Sequence, residues 1–293
     1  YKKKMKSSSK KITANFFWHG KELSIYETAC LRSFIKNDFN VVVYSFKKMN
    51  LPKKVISKNA NIILKKSEIK KFIHGGKKGC LAAYSDKFRI LLQRKNLGWW
   101  FDLDIICLKH SKKFLKLEKN KKLVIGYETK NKVNTAVLKI NKSYIADEIL
   151  NKIKKIGYKF SWGKIGPILL NDFISEKKFE HEILSKNFFY PINYKNVELL
   201  FNPKKVKKAS HLTKKSFTIH LYNQIINRIG IPKNILPPKN SYLYNEITGI
   251  CPEYKKKEAL PASTFQKLLN KKNGFKENFF DLIPSFIRAI KRI

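Results

Sequence analysis

Short apolar runs alternate with segments of helical periodicity along the first part of the chain. Residues 13–18 and 40–46 are rich in β-branched and aromatic side chains, which predicts strands, and residues 61–64 predict a third strand. Between the first two runs, residues 22–35 place apolar side chains three and four positions apart, which predicts a helix. This order of elements is typical of an α/β layer fold with a mostly parallel sheet.

A second helical segment, residues 79–95, leads directly into an unusual strand. Residues 98–106 read G-W-W-F-D-L-D-I-I, so two carboxylates stand in an otherwise apolar run, where an unpaired charge is costly. Side chains two positions apart in a strand point to the same face, so Asp102 and Asp104 can contact the same ligand. Oxygen ligands favour magnesium, manganese or calcium over zinc. The plainer alternative is two solvent-facing acids at a strand end.

The second half of the chain continues with strands and helices. The pattern predicts strands over 123–127, 134–140, 188–192 and 216–222, a helix over 143–156 capped by Ser143, a loop that enters a helix at Pro167, and a lysine-rich loop over 202–215. His220 and Asn223 stand at or just beyond the end of the last predicted strand.

The charge of the chain is strongly positive. It has 63 Lys and Arg against 21 Asp and Glu, for a formal net charge of +42, but only six of the basic residues are arginine. Bidentate phosphate clamps and base-edge contacts favour arginine, whereas these lysines are spread along the whole sequence. The charge therefore indicates a solvated surface that attracts nucleotides, acidic glycans or anionic membranes. A basic nucleic-acid-binding protein is the alternative.

Cysteine content and hydropathy indicate a cytoplasmic protein. The four cysteines are widely spaced without a C-x-x-C pair, so we expect free thiols and no structural zinc site. No apolar run reaches the ~20 residues of a membrane span, and no apolar segment follows the basic start, so no signal peptide is predicted. Residues 279–292 predict a basic amphipathic helix that packs on the main domain or contacts the inner face of a membrane.

Several enzyme classes use a D-x-D pair. A phosphatase of the haloacid-dehalogenase type has Thr or Val where this chain has Ile106, and it carries the pair near its start. A two-metal nuclease needs further carboxylates, and only Asp86 and Glu128 are obvious candidates. A nucleotide-sugar transferase needs one cation on the donor diphosphate, which fits this supply of acids.

Four ordered segments resemble one family. Residues 82–89 (A-A-Y-S-D-K-F-R) followed by 98–104 (G-W-W-F-D-L-D) resemble the sugar-binding region of the DXD-containing family 32 glycosyltransferases, a group related to the core of the clostridial glucosylating toxins. Leu97 and Trp100 replace a Gly and a Tyr of the family pattern. The other similar segments are 17–27 (F-W-H-G-K-E-L-S-I-Y-E), 162–167 (W-G-K-I-G-P) and 220–223 (H-L-Y-N).

The resemblance implies a GT-A-like fold and a retaining sugar transfer from a nucleotide-diphosphate donor, usually UDP-linked, with Mn²⁺ or Mg²⁺. It implies that Trp18 lines the site of the donor base and that Asp86 and Arg89 hold the donor sugar. Asp102 would contact sugar or ribose and metal, Asp104 would be the firmer metal ligand, and His220 a further ligand or a diphosphate contact. Glu128 is a weak candidate for a nucleophile, and Trp162 is a candidate wall of the acceptor site.

The same resemblance sets the expected organisation and partners. We expect a disordered basic lead over residues 1–11, a GT-A-like catalytic domain over 12–235 and a partly helical extension over 236–293. The expected partners are a nucleotide sugar and a cell-surface glycan or lipid-linked acceptor, and a metal-dependent nuclease remains the alternative enzyme class.

Overall fold

The strands of the molecule form one central sheet and two small ones. In the computed structural model, residues 11–161 and 163–274 are described. Their strands are β1 (Thr13–Phe17), β2 (Asn40–Ser45), β3 (Val55–Asn59), β4 (Ile73–His74), β5 (Lys77–Lys78), β6 (Trp99–Phe101), β7 (Ile105–Cys107), β8 (Leu123–Thr129), β9 (Lys132–Ile140), β10 (Lys159–Phe160) and β11 (Thr218–His220).

Helices connect and cover these strands. The α-helices are α1 (Ile25–Lys36), α2 (Leu81–Arg94), α3 (Ser111–Glu118), α4 (Ser143–Ile156), α5 (Pro167–Glu176), α6 (Lys186–Phe189), α7 (Glu198–Phe201), α8 (Val206–Thr213), α9 (Asn223–Ile229), α10 (Tyr242–Ile250) and α11 (Ala262–Gly274). Short 3₁₀ turns occur at Ala60–Ile62, Lys66–Lys71, Glu180–Glu182, Tyr194–Asn196, Pro203–Lys205 and Pro252–Lys256.

The central sheet is mostly parallel. Its strand order is β3-β2-β1-β6-β9-β8. The pairs from β3 through β6 are parallel, and the β8–β9 hairpin adds two antiparallel strands at one side. The predicted fold class, an α/β fold with a mostly parallel central sheet, is therefore confirmed.

Helices pack on both faces of this sheet, which explains the near-continuous apolar strands. One face is covered by α2, α4 and α5, and it buries Trp100 with Phe88 of α2. The other face buries Trp99 and Phe101 of the same strand against Phe34 of α1 and Phe114 of α3. Alternation along β6 thus sends consecutive aromatic side chains into opposite cores.

The order of the strands creates a switch point between β1 and β6. From β1 the chain moves to β2 and β3 on one side, and then returns to place β6 on the other side of β1. In open α/β sheets, ligands bind where the carboxyl ends of two such strands diverge. Trp18 follows β1 and Asp102 follows β6, so both lie at this crevice.

Four local predictions were wrong. Residues 61–64 are not a strand, because the side chain of Asn59 caps a 3₁₀ turn there and the strand comes earlier, as β3. Residues 188–192 include the end of the single-turn α6, since a short apolar run does not distinguish helix from strand. Residues 202–215 contain α8, whose Ala209 and Thr213 face inward while its lysines are exposed. The α4 helix is capped at Lys142 rather than Ser143.

The region after β11 packs on α1 rather than standing apart. Leu243 and Ile247 of α10 and Phe265 of α11 share one apolar cluster with Tyr26 and Cys30 of α1. The amphipathic helix predicted over 279–292 lies outside the described residues. Within the described part, every helix is too short or too polar to cross a membrane.

Candidate active site

The D-x-D pair lies in a turn between two strands. The strand β6 ends at Phe101 and β7 begins at Ile105, whose N–H donates to the carbonyl of Asp102 at 3.1 Å. The continuous strand expected over residues 98–106 is therefore interrupted at the acids. The two carboxylates converge because of this turn and not because of strand alternation.

A distant strand brings His220 to the same turn. β11 pairs antiparallel with β7, with His220 opposite Ile105, and the N–H of Leu221 donates to the carbonyl of Asp104 at 2.9 Å. The imidazole Nε2 of His220 then lies 3.2 Å from Oδ1 of Asp104. Backbone pairing thus fixes this contact between residues far apart in the sequence.

Asp102, Asp104 and His220 form a cluster that fits a divalent cation. One ligand atom from each lies within 4.8 Å of the others. Two carboxylates and one imidazole are a donor set that manganese accepts. Within the described part of the chain, Nδ1 of His220 and Oδ1 of the adjacent Asn223 are buried without a hydrogen-bond partner. Buried polar atoms of this kind call for a ligand, an ion or a water molecule.

The charges of this cluster are mutually stabilised. Burial acts to raise the pKa of Asp104, but the imidazole of His220 and the N–H of Asn223, 2.8 Å from Oδ2, outweigh it, and the pKa lies below its ordinary value. Burial acts to lower the pKa of His220, and the Asp104 carboxylate overcomes this and raises it. Without a cation, the two side chains therefore form a buried ion pair.

Arg89 joins the D-x-D turn to α2. Its guanidinium donates to Oδ1 of Asp102 at 3.1 Å and to the hydroxyl of Ser85 at 3.3 Å, and it also hydrogen-bonds the hydroxyl of Thr135. It lies 3.2 Å from Oδ1 of Asp86. The predicted proximity of Asp86 and Arg89 to the D-x-D pair is thus what the structure shows, and Arg89 holds both acids at once.

Asp86 is buried against the backbone at the start of α5. A Cβ built on Gly166 would fall 2.3 Å from Oδ2 of Asp86, so only glycine leaves room for this carboxylate. Burial raises the pKa of Asp86 to about 6, with the charge of Arg89 opposing the increase and that of Asp102 adding to it. A buried carboxyl group with a pKa shifted in this way is a recurrent property of functional sites.

Trp18 forms the opposite wall of a small cleft. The cleft has a volume of about 140 Å³, and the residues that line it include Asp102, Asp104, Trp18 and Asn223. The indole N–H donates to the carbonyl of Glu22 at 3.1 Å, and Gly20 packs directly on the ring. Small-molecule pockets usually measure about 300–1,000 Å³, so this cleft encloses only part of a large ligand.

Several residues of the site were missed in the sequence. Thr135 and Gly166 hold Arg89 and Asp86, and nothing in the spacing of these residues indicates the contacts. Asn223 stands in the H-L-Y-N segment, directly after Tyr222, which has the left-handed conformation (φ 58°) that turns the Asn223 N–H toward Asp104. Trp162, a candidate for the acceptor site, lies outside the described residues.

Comparisons with known proteins found a family model and a set of similar solved structures, two of which are described below. A family model described as "Alpha 1,4-glycosyltransferase conserved region" matches residues 141–256, a range that contains His220 and Asn223 but not the D-x-D pair. None of the curated proteins matches the sequence of this chain.

Both of these structures are glycosyltransferases. The structure titled "WbbM bifunctional glycosytransferase apo structure" is 10% identical with a TM-score of 0.47 over 82% of this chain, which spans about half (49%) of that longer chain. The structure titled "PaToxG Glycosyltransferase" is 12% identical with a TM-score of 0.36, over 82% of this chain and 86% of that one.

The mostly parallel central sheet with helices on both faces is the α/β architecture that the sequence predicts. The resemblance to glycosyltransferases that the sequence predicts is confirmed over residues 141–256, which match the model of the alpha 1,4-glycosyltransferase conserved region.

Proposed function

We propose that this chain transfers a sugar, with retention of configuration, from a UDP-linked donor to a cell-surface glycan or lipid-linked acceptor. The observation that carries the proposal is the cluster of Asp102, Asp104 and His220 at the switch point of a mostly parallel sheet. Such a crevice is where α/β sheets bind nucleotides.

The cluster would hold one Mn²⁺ or Mg²⁺ ion. Asp104 and His220 are the closest pair of ligands, and Asp102 reaches the same point from the other end of the turn. A bound divalent cation supplies positive charge for the diphosphate that leaves the donor sugar. Because both carboxylates are also held by donors of the protein, their positions are set before a ligand enters.

Asp86, Arg89 and Trp18 would bind the remainder of the donor. Asp86 lies beside Arg89 on α2 and directly follows Ser85, which lines the cleft. Hydrogen bonds from sugar hydroxyls to the Asp86 carboxylate would orient the sugar. The half-buried indole of Trp18 offers a flat apolar surface for the base. The small volume of the cleft fits a site that encloses the sugar and phosphates of the donor, with the base at the entrance of the cleft.

The transfer breaks the bond between the anomeric carbon and the donor phosphate oxygen, whose electron pair stays with the diphosphate. The acceptor hydroxyl oxygen forms the new bond and gives up its proton. With attack on the face that the leaving group occupies, the departing phosphate oxygen takes this proton. Glu128 is the candidate for the alternative, a carboxylate nucleophile, because its charge acts on the pKa of both His220 and Tyr222 in the site.

A two-metal nuclease is less well supported by the same geometry. Such a site needs carboxylates that bridge two cations about 3.5–4 Å apart. Of the two further acids near the site, Asp86 is engaged by Arg89 and packed on Gly166, which leaves Glu128 alone for a second cation. The lysine-rich surface is consistent with anionic acceptors, and the net charge of +42 favours lipid-linked or acidic glycans over neutral ones.

Binding and turnover of nucleotide sugars test the proposal. Thermal melting with MnCl₂ and UDP, GDP or ADP identifies the nucleotide, and release of the nucleoside diphosphate from a panel of UDP-sugars measures donor hydrolysis. The Asp104→Asn variant removes one ligand charge, and Asp172→Asn, an exposed acid on α5, is its matched control.

We expect metal-dependent stabilisation by UDP in the wild type and the control, and its loss in Asp104→Asn. Because binding at 100 times the dissociation constant adds about 2.7 kcal/mol to the free energy of unfolding, the shift is easily measured. An absence of any nucleotide effect, together with salt-dependent binding of DNA and metal-dependent cleavage, would refute sugar transfer in favour of the nuclease.

A further inference from the structure

One buried acid beside the site has no part in the proposed function so far. Glu27 ends the first segment that resembles family 32, and its side chain is 1% exposed. A buried carboxylate is tolerated only when it is paired and hydrogen-bonded. Glu27 meets this condition through partners from three segments: Ser24, Asn223 and Lys233.

The two oxygens of Glu27 serve different purposes. Oε2 accepts from the backbone N–H of Ser24 at 2.9 Å and completes the capping box at the start of α1. Oε1 accepts from Nδ2 of Asn223 at 2.9 Å and from the ammonium of Lys233. Helix capping therefore accounts for the hydrogen bond to Oε2. The hydrogen bonds to Oε1 come from residues about 200 positions away in the sequence.

Asn223 links this acid to the metal-binding cluster. A carboxylate only accepts, so the contact with Glu27 orients the amide with Nδ2 toward Oε1 and Oδ1 away from it. The backbone N–H of the same residue donates to Oδ2 of Asp104 at 2.8 Å. The position of Glu27 is thus coupled to that of Asp104 through a single residue.

Lys233 stands on the other side of Glu27 and lies close to Trp18. The α9 helix ends at Gly230 in the left-handed conformation (φ 81°), and the buried Ile231 anchors the chain as it turns back toward α1. The ammonium then lies 5.9 Å from the centre of the Trp18 ring, which lines the cleft. The side chain of Lys233 is 18% exposed.

The ammonium of Lys233 has donors to spare. An ammonium carries three N–H donors. Among the hydrogen bonds of the described residues, Lys233 makes one, to Glu27. Its remaining donors are free for a ligand that enters between Trp18 and the D-x-D turn.

Arg89 is in the opposite situation. Its two terminal nitrogens are occupied by Asp86 and Thr135 on one side and by Ser85 and Asp102 on the other. Its Nε has no hydrogen-bond partner among the described residues, but it is buried and so closed to a ligand in the cleft. To bind phosphate, Arg89 would have to release the acids that it holds in place. A diphosphate in the cleft would therefore be bound more readily by a different positively charged side chain.

We propose that Lys233 binds the diphosphate of the nucleotide-sugar donor and that Glu27 is the residue that positions it. This inference rests on the proposed function. Lysine is a common phosphate ligand, acting as a compact point charge. The diphosphate would then be contacted from two sides, by the metal ion that Asp102 and Asp104 hold and by the ammonium of Lys233. Both positive charges would stabilise the negative charge that the diphosphate gains as the sugar leaves.

Calorimetric titration with UDP and with uridine, each with MnCl₂, tests the inference. The variants are Lys233→Met, Lys233→Arg and Glu27→Gln, with Lys239→Met, an exposed lysine of the same loop, as the matched control. Glutamine also serves in a capping box, so Glu27→Gln keeps the start of α1 while it removes the charge that holds Lys233. Melting temperatures without ligand identify any variant that is merely unfolded.

We expect Lys233→Met to weaken UDP binding at least tenfold and to leave uridine binding unchanged, because the lost contact is with phosphate. Lys233→Arg should keep most of the affinity for UDP. Glu27→Gln should lose several-fold in affinity and melt at a lower temperature while it stays folded, because its amide replaces one of the two accepting oxygens with a donor. Wild-type affinity for UDP in Lys233→Met, with binding lost in Asp104→Asn, would overturn this inference and leave sugar transfer standing. A wild type that binds neither UDP nor GDP would overturn both.

Discussion

Replacing Asp86 with asparagine separates the function of this residue from its effect on stability. The carboxylate is packed on the backbone of Gly166, and its side chain is 12% exposed. Burial raises its pKa from 3.8 to about 6, although the charge of Arg89 opposes the increase. The folded protein therefore favours a neutral group at this position more than the unfolded chain does. Asparagine supplies a neutral group of nearly the same shape.

The magnitude follows from the two pKa values. At 1.36 kcal/mol per pH unit, the difference between 3.8 and about 6 corresponds to about 3 kcal/mol at neutral pH. The amide loses one acceptor toward Arg89, which offsets roughly 1–2 kcal/mol of this. We expect Asp86→Asn to raise the free energy of unfolding by about 1–2 kcal/mol, and the melting temperature by about 2–8 °C.

The sign of the pH dependence is specific. A raised folded-state pKa of an acid stabilises the wild type below pH 3.8, and this contribution disappears as the pH rises through about 6. The stability gap between Asp86→Asn and the wild type should therefore be small at pH 4 and largest above pH 7. Asp172→Asn, on the exposed face of α5, should stay within about 0.5 kcal/mol at both pH values.

Urea unfolding at pH 4 and pH 7.5 measures this gap, and donor turnover at pH 7.5 measures the function. We expect a more stable variant with much lower activity, as is typical when a site holds a group at a cost in stability. A variant that is less stable than the wild type at pH 7.5, or a gap that does not change with pH, would show that the Asp86 carboxylate is not strained by burial.

Three further predictions concern the surroundings of the site. Gly166→Ala should destabilise the protein by about 1–3 kcal/mol and abolish activity, and Asp86→Ala in the same chain should restore much of the stability because the clash partner is gone. Contacts with Lys71, Tyr158 and Lys87 overcome burial and lower the Glu68 pKa to about 2. Glu68→Gln should therefore lower the free energy of unfolding by about 1–2 kcal/mol above pH 4.5, and this difference from the wild type should disappear as the pH falls through about 2. His220→Asn should weaken Mn²⁺ binding at least tenfold in a titration without nucleotide, and an unchanged affinity would exclude His220 as a ligand.

The first half of the fold was predictable because its signals are local. The strands before and after α1 are short β-branched or aromatic runs, and α1 itself begins at a capping box, Ser24 to Glu27, that is legible in the sequence. The spacing of Asp86 and Arg89 on α2 predicted that both reach the D-x-D pair. That prediction holds because α2 packs directly on β6, the strand that ends at Asp102.

The remainder was not predictable because it depends on contacts between distant segments. The short α6 and the lysine-rich α8 have too few apolar positions to display a period, and tertiary packing decides their structure. The sequence does not reveal the break in the strand at Asp102 either, because the apolar residues on both sides favour extended backbone. Lys233 is one lysine among many in the sequence, and only the contact with Glu27 distinguishes it.

The placement of the ligands implies that neither half of the chain can form the site alone. Asp102 and Asp104 come from the segment between β6 and β7, whereas His220 comes from the region that matches the glycosyltransferase family. The ladder between β7 and β11 is what joins them, since the carbonyl of Asp104 itself accepts the N–H of Leu221. A cation bound there would bridge the two halves and add its binding free energy to that ladder. Metal binding and the packing of the C-terminal region on the sheet would therefore be one coupled equilibrium, in which loosening either one would weaken the other.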